Sequence, residues 1–353
     1  MIRECIPRVA GGTNLMGDEA RAVMTEMLSG AATDAQIGAF LAALSIKGET
    51  EEELLSFASV MKEHCRTIHP NVKGRMVDTC GTGGDGFDTF NVSTVAALIA
   101  AGAGVTIAKH GNRSVTSNSG SADVLERLGV NLSQPPDTVR DAIERIGVGF
   151  MFAPEFHPAL RAVANPRKEI GLRTVFNLLG PLVNPAGAQA QVLGVAEASW
   201  VTRLATALMA LGCEEAMVVH GVGGLDEVSV CGPTVVAHAK GSGLMRLELR
   251  PRDFGLTRVE PRRLLVEDAE ESARLALRLL TERPDVHDPK TGFALANAAP
   301  AILVGGLEDE LRSCVDLAVE SIASGAAYQK LRSLVELSGG NLSLLDEWEG
   351  ARV

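Results

Sequence analysis

The stretch Met76-Val77-Asp78-Thr79-Cys80-Gly81-Thr82-Gly83-Gly84-Asp85-Gly86 decides the reading of this chain. A β-rich run enters four glycines in six residues, and glycine lets successive backbone N–H groups converge on an anion. The spacing predicts a strand followed by a phosphate-binding turn, against the plainer alternative of an ordinary strand-to-helix connection. Gly81, Gly83 and Gly86 also satisfy the G-x-G-x-x-G spacing of dinucleotide sites. That motif needs a helix opening at once and an acid ending the next strand. Here the helical pattern starts only after Asn91-Val92-Ser93-Thr94 and the next strand ends at Lys109, so the dinucleotide reading fails.

Working outward, Ser93 or Thr94 is placed to cap a helix beginning near Val95, adding free N–H donors beside the glycine loop. Lys109-His110-Gly111-Asn112-Arg113-Ser114 brings positive charge and amides to the end of the following strand, the edge where open α/β sheets bind ligands. The combination suits a ligand carrying several phosphates. Asp226 and Glu227 follow strand-like 216–220 and a glycine-rich turn. Such a pair suits Mg²⁺ shared with substrate phosphates, or is a surface acid pair. Arg161, Arg167, Lys168 and Arg173 form a second basic group able to hold a carboxylate, and residue type does not choose among them. His157, next to Pro158, reads more readily as a packed loop residue than as a catalyst.

Helical periodicity runs from residue 1 to about 68, with capping boxes at Thr33/Gln36 and Thr50/Glu53. After Pro70 the chain alternates helices with short β-rich runs at 75–79, 105–109, 192–195, 216–220, 227–230 and 235–239. Beyond residue 262 helices dominate. The 353 residues are 46% hydrophobic and 22% charged, enough for a large core and two domains. Forty-four acids against thirty-three Lys and Arg, with 4% aromatics, argue against a nucleic-acid surface. The longest apolar run, 95–108, is too short to cross a bilayer, and the N-terminus lacks a secretory core, which predicts a cytoplasmic protein with no membrane partner. Six scattered cysteines without a CxxC pair read as reduced and mostly buried.

The glycine stretch, Thr89-Phe90-Asn91-Val92-Ser93-Thr94, Lys109–Ser114 and Ser119-Gly120-Ser121-Ala122-Asp123 together resemble the anthranilate phosphoribosyltransferase family. Phe152-Ala153-Pro154, His157-Pro158-Ala159, the Arg173–Leu182 run, Asn184-Pro185-Ala186 and Val219-His220-Gly221 leading to Leu225-Asp226-Glu227 follow in the family's order, and Ala32–Leu41 resembles its N-terminal domain. Asn118 stands where relatives often carry Lys or Arg, and Asn165-Pro166-Arg167-Lys168-Glu169 replaces a commoner Pro-Val-Arg-Arg-Glu run.

The resemblance implies a small all-helical domain, residues 1–70 with a returning segment of about 154–185. A larger α/β domain over 71–353 would have a central mixed sheet of the nucleoside phosphorylase/phosphoribosyltransferase type, and the small domain would close on it with the reaction in the cleft. It implies transfer of phosphoribosyl from 5-phosphoribosyl-1-pyrophosphate (PRPP) to anthranilate in tryptophan biosynthesis, by a Mg²⁺-dependent enzyme that is a homodimer through its helical domain. Gly81, Gly84, Asp85, Thr89, Asn91, Val92, Ser93, Thr94, Lys109, His110, Gly111, Asn112, Arg113, Ser114, Val115, Thr116, Ser117 and Ser121 would hold PRPP. Ser93, Asp226 and Glu227 would hold two Mg²⁺ ions per subunit, and Gly81, Asn112, Arg167, His110 and His157 would contact anthranilate. Pro166 is expected in the first turn of a helix, presenting Arg167. No protein nucleophile is needed. A pyrimidine nucleoside phosphorylase and a non-catalytic phosphate-binding protein are the alternatives. The first would lack an aromatic-carboxylate site, and the second would have lost Lys109 or the Asp226-Glu227 pair.

Overall fold

Residues 2–63 wind into four helices, α1 (Ile2–Ala10), α2 (Gly17–Leu28), α3 (Asp34–Lys47) and α4 (Glu51–Glu63), in a computed structural model that describes residues 1–114 and 119–350. Thr33 Oγ1 accepts the Gln36 N–H while the Gln36 side chain accepts the Thr33 N–H, and Thr50 and Glu53 repeat the exchange. Gly48, at φ 82°, stops α3. The buried Glu53 carboxylate also accepts Leu15 N–H and Lys47 Nζ, each at 2.8 Å, so one side chain ties the entry to α2 to the α3–α4 turn.

The α/β part follows in the order β1 (Met76–Gly81), α5 (Val92–Gly102), β2 (Thr106–Gly111), α6 (Ser121–Arg127), α7 (Pro136–Ile146) and β3 (Val148–Phe152). The helices α8 (Ala153–Phe156), α9 (Arg161–Ile170) and α10 (Val175–Leu182) interrupt it before β4 (Ala190–Gly194), α11 (Trp200–Ala210), β5 (Glu215–Gly221), β6 (Thr234–Lys240) and β7 (Gly243–Leu249). Five helices close the chain: α12 (Ala269–Thr281), α13 (Pro289–Val304), α14 (Leu311–Ala323), α15 (Ala326–Leu337) and α16 (Leu342–Gly350). The strands form one mixed sheet in the order β3-β2-β1-β4-β5-β6-β7, parallel through β5 and antiparallel thereafter. Its helices bury a continuous core from Val77 and Val95 to Phe293 and Leu334.

The chain divides into two compact units. Met1–Thr67 and Pro154–Pro185 make the helical one; Ile68–Ala153 and the chain from Ala186 onward make the α/β one. In the helical unit Asn165 Nδ2 donates to Asp34 Oδ2 at 2.9 Å and Ile170 packs on Gly38, which seats α9 against α3. In the α/β unit β1 lies between β2 and β4, so the chain departs to opposite sides there and leaves a crevice beyond the strands' carboxyl ends.

Several local expectations fail for identifiable reasons. Helix α5 starts at Val92, not near Val95, because Asn91 Oδ1 accepts Thr94 N–H at 3.3 Å and takes the capping role expected of Ser93 or Thr94. Residues 227–230 form no strand, since Val228 N–H goes to Asn297 Oδ1 and Ser229 N–H to Thr234 Oγ1 rather than to a ladder. Strands β3 and β7 lie where none was expected. Pro166 sits inside α9, five residues past its start, instead of in its first turn. All six cysteines are free; Cys5, Cys231 and Cys314 are buried, while Cys65, Cys80 and Cys213 are partly accessible. Among the described residues no helix is long and apolar enough to cross a membrane.

Candidate active site

At the carboxyl end of β1 the glycine loop meets the acidic turn that follows β5. Gly83, Gly84 and Gly86 hold φ of 67°, 73° and 75°, a region that L side chains rarely enter. A Cβ on Gly81 would lie 2.5 Å from Asp226 Oδ2, and one on Gly194, its partner in β4, would lie 1.5 Å from the Asp226 carbonyl oxygen. Both glycines are therefore required by the close approach of Asp226, and Gly83 N–H donates to Asp226 Oδ2. Burial first, then the neighbouring Asp85 carboxylate, pushes Asp226 up to about 7, and burial followed by Asp226 pushes Glu227 well above the usual carboxylate range.

Lys109, buried in β2, reaches across to β1 and α5: its Nζ donates to the Thr79 carbonyl and to Ser93 Oγ, the latter at 3.3 Å. Burial lowers its pKa, opposed by Asp78, Cys80 and Glu227. The Asp78 carboxylate is buried and accepts His110 N–H at 3.1 Å. Ser93, Lys109, Asp226 and Glu227 thus belong to one charged group. Among the described residues no three His, Cys, Asp or Glu side chains converge as a full metal cage. Mg²⁺ commonly takes one or two carboxylates and completes its shell with water and substrate phosphates, so acids that raise each other's proton affinity beside the glycine loop fit it.

Asn91, the N-cap of α5, ties the start of that helix to the residues ahead of α6 and to α12. Its Nδ2 donates to the Ser119 carbonyl at 3.1 Å, and its own N–H is taken by Ser272 Oγ at 3.0 Å. Buried Thr94 Oγ1 and Ser119 Oγ have no hydrogen-bond partner among the described residues, a state that ordinarily costs about 1–3 kcal/mol per group. Thr89 bridges to Leu265, and Val266 N–H donates to the Asp88 carbonyl, fastening the far end of the glycine loop. Asn112 Oδ1 accepts Arg113 N–H, and its carbonyl accepts Ser121 Oγ–H. Arg113 is engaged by Asp123 and Glu126 and lies 5.7 Å from the Phe152 ring, so its guanidinium has acidic partners in place. Gly111 admits Ser121, whose Oγ would lie 2.3 Å from a Cβ there. Val115, Thr116 and Ser117, with Asn118, lie outside the described residues.

The remaining candidates lie in the helical unit. Arg167, on α9, is half-buried with its guanidinium 4.9 Å from the Phe176 ring, and among the described residues it has neither an ion pair nor a hydrogen bond. Burial lowers its pKa, the mark of a desolvated cation without an acid beside it. Arg161, Lys168 and Arg173 are exposed, so burial singles out Arg167 where residue type did not. His157 is buried, with Cys65 Sγ 4.0 Å from its Nε2; burial lowers it to about 4, partly offset by a hydrogen bond to the Val183 backbone, so the imidazole is neutral at pH 7.

Sequence reading missed Gly194, Ser272 and Asn297, and gave Ser119 a place in a motif but no role. Asn297 carried a signal, being the only polar side chain in the run from Phe293 to Leu303. Gly194 and Ser272 carried none, because their roles exist only once β4 and α12 are in place.

Residues 3–65 match the model of the glycosyl transferase family helical bundle domain, and residues 73–328 match that of the glycosyl transferase family a/b domain. The anthranilate phosphoribosyltransferase of Anaeromyxobacter dehalogenans is 50% identical over 335 residues, covering 95% of this chain and 98% of the relative. The crystal structure of the Thermus thermophilus anthranilate phosphoribosyltransferase superposes with a TM-score of 0.88 at 42% identity, covering 95% of this chain and 99% of that one. The Saccharomyces cerevisiae anthranilate phosphoribosyltransferase in complex with PRPP and Mg superposes with a TM-score of 0.87 at 29% identity, covering 96% and 98%. With both units matched at this identity, the chain belongs to the anthranilate phosphoribosyltransferase family.

Proposed function

We propose that the chain transfers the 5-phosphoribosyl group of PRPP to the amine of anthranilate, an early reaction of tryptophan biosynthesis. The C1–O bond to pyrophosphate breaks and a C1–N bond forms, giving N-(5-phosphoribosyl)anthranilate, pyrophosphate and one proton released from the amine. The observation that carries this reading is the seating of Asp226 against Gly81, Gly83 and Gly194, which sets an acidic turn on a phosphate-type glycine loop.

In this reading the backbone of 81–86 and the N-terminal turn of α5, with Lys109 and the hydroxyls of Ser93, Thr94 and Ser121, bind the phosphate and ribose groups of PRPP. Gly84, Asp85, Thr89, Asn91 and Val92 line that path, and the two hydroxyls of Thr94 and Ser119 gain the partners they otherwise lack. Ser93, Asp226 and Glu227 hold two Mg²⁺ ions, whose contribution is to neutralise charge developing on pyrophosphate as it leaves. Departure from an anomeric carbon builds positive charge on the sugar, so the chain needs electrostatic stabilisation and no side-chain nucleophile.

Arg167 is the residue for the anthranilate carboxylate, because a desolvated guanidinium gains most from a planar anion that takes two parallel N–H donors. Neutral His157 lines the acceptor without competing for its charge. The active species is a homodimer through the helical unit, where Ile46 is 86% and Leu172 53% exposed on segments joined by the Ser45 Oγ–H to Arg173 carbonyl bond. The test is loss of anthranilate fluorescence on addition of PRPP and Mg²⁺, with release of pyrophosphate in equal amount. No loss under any metal concentration would overturn the reading.

A further inference from the structure

One turn of α13 touches both halves of the donor site. The Phe293 ring meets Phe90 edge-on with centroids 5.6 Å apart, immediately before Asn91. Four residues later, on the same helix face, buried Asn297 takes Val228 N–H on its Oδ1 at 2.8 Å and donates through Nδ2 to the Val228 carbonyl at 3.0 Å and to the Phe293 carbonyl at 2.9 Å. Val228 follows Glu227 directly.

A peptide unit is planar, so fixing Val228 N–H fixes the plane that also carries the Glu227 carbonyl, and fixing the Val228 carbonyl fixes the next plane. A single side chain therefore sets two consecutive peptide planes at the exit of the acidic turn. The entry is held by the Gly221 N–H to Leu225 carbonyl bond at 2.8 Å. Asparagine is a poor helix former, and its place in the middle of a buried apolar helix costs stability unless every polar atom is matched. Here both ends of the amide are used on Val228, and only one bond returns to α13 itself.

We infer that Asn297 is a positioning residue for the Asp226-Glu227 pair, holding it at a set distance from the N-terminal turn of α5, Asn91–Thr94, through the shared turn of α13. This rests on the reading of Asp226 and Glu227 as metal-holding acids. A merely structural asparagine would affect stability alone, whereas a positioning one affects cation binding separately.

The experiment measures binding of Mn²⁺ to the full chain in the presence of PRPP, by the loss of the free-ion electron paramagnetic resonance signal beyond that caused by PRPP alone. It is run on the unmodified chain, Asn297→Leu, Asp226→Asn, Glu227→Gln and Ile302→Ala, the last a buried α13 side chain with no bond to the acidic turn. Asn297→Leu is expected to raise the Mn²⁺ Kd about tenfold, the usual range for losing support behind a metal ligand, with KM for anthranilate within about twofold. Ile302→Ala is expected to lower the melting temperature without moving the Mn²⁺ Kd. An unchanged Kd in Asn297→Leu, or an equal rise in Ile302→Ala, overturns the inference. An unchanged Kd in Asp226→Asn and Glu227→Gln overturns the underlying metal reading instead. Should Asn297→Leu not fold, Asn297→Asp keeps the acceptor for Val228 N–H but loses both Nδ2 donors, and is read by the same criteria.

Discussion

Gly83 donates its backbone N–H to Asp226 Oδ2 at 2.7 Å, joining residues 143 positions apart and making the glycine loop and the acidic turn one structural unit. Asp226→Asn keeps an acceptor for Gly83 but removes the charge, so it separates shape from electrostatics. Asp226→Asn and Glu227→Gln are each expected to lower kcat by two or more orders of magnitude with little change in circular dichroism, since metal stabilisation of a leaving group is worth several kcal/mol. Chelation with EDTA should abolish turnover of the unmodified chain, and raised Mg²⁺ should restore the variants only in part. Normal turnover of both variants at low Mg²⁺ would remove them from the metal site.

The two glycines around Asp226 are not equivalent. A methyl on Gly194 meets backbone, which cannot step aside, while one on Gly81 first meets the end of a carboxylate. Gly194→Ala is expected to cost about 3 kcal/mol or more in urea denaturation, at the upper end of overpacking effects. Gly81→Ala should cost less stability yet lose activity by displacing Asp226. The reverse order would show that the turn yields more readily than the strand.

Arg167→Ala is expected to cost about 2–5 kcal/mol of anthranilate binding, in line with desolvated charge pairs, read as a rise in KM for anthranilate with KM for PRPP changing much less. Arg167→Lys should not restore it, because an ammonium lacks the guanidinium fork. Exposed Arg161 serves as the control. An anthranilate defect in Arg161→Ala, with none in Arg167→Ala, would move the acceptor site elsewhere on the basic segment.

His157 ties stability to pH. Its folded pKa of about 4 lies below the value of about 6.5 for an unfolded histidine, so between those limits the unfolded chain binds more protons. The stabilisation of the neutral buried ring is complete above pH 6.5 and is lost as pH falls towards 4, on the order of 3 kcal/mol in all. Comparing urea midpoints across that window, His157→Asn should flatten the slope. Parallel slopes in both proteins would refute the burial argument.

For the homodimer proposed above, Ile46→Asp is expected to raise the dissociation constant at least a hundredfold, since each buried Ile or Leu is worth roughly 1.5–3 kcal/mol and symmetry counts each change twice. Sedimentation at micromolar concentration decides it. A dimer unaffected by Ile46→Asp and by Leu172→Asp would place the interface on another face.

Much of the site was legible because its logic is local. Glycine density marked the loop, and Lys109 closed a clear β-rich run. What escaped reading depends on partners distant in the chain. Residues 227–230 alternate like a strand, yet their donors are claimed by Asn297 and Thr234. The run Leu244-Met245-Arg246-Leu247 favours a helix by propensity, but the turn at Gly241 folds it back on β6. Arg113 belongs to a basic motif, and only the winding of α6 shows that Asp123 and Glu126 occupy its guanidinium.

The helical unit is assembled from two pieces of chain separated by β1, β2 and β3, and this has a consequence for synthesis. When Met1–Thr67 leaves the ribosome, α9 and α10, which cover α3 and α4, do not yet exist. A nascent chain arrested near residue 150 would hold about two-thirds of the helical unit and about a third of the α/β unit, with Val77 still lacking its β4 neighbour Ala190. The helical unit cannot complete its core before Pro185 emerges, so its first four helices wait through the synthesis of β1, β2 and β3, and chaperone demand should peak midway through translation.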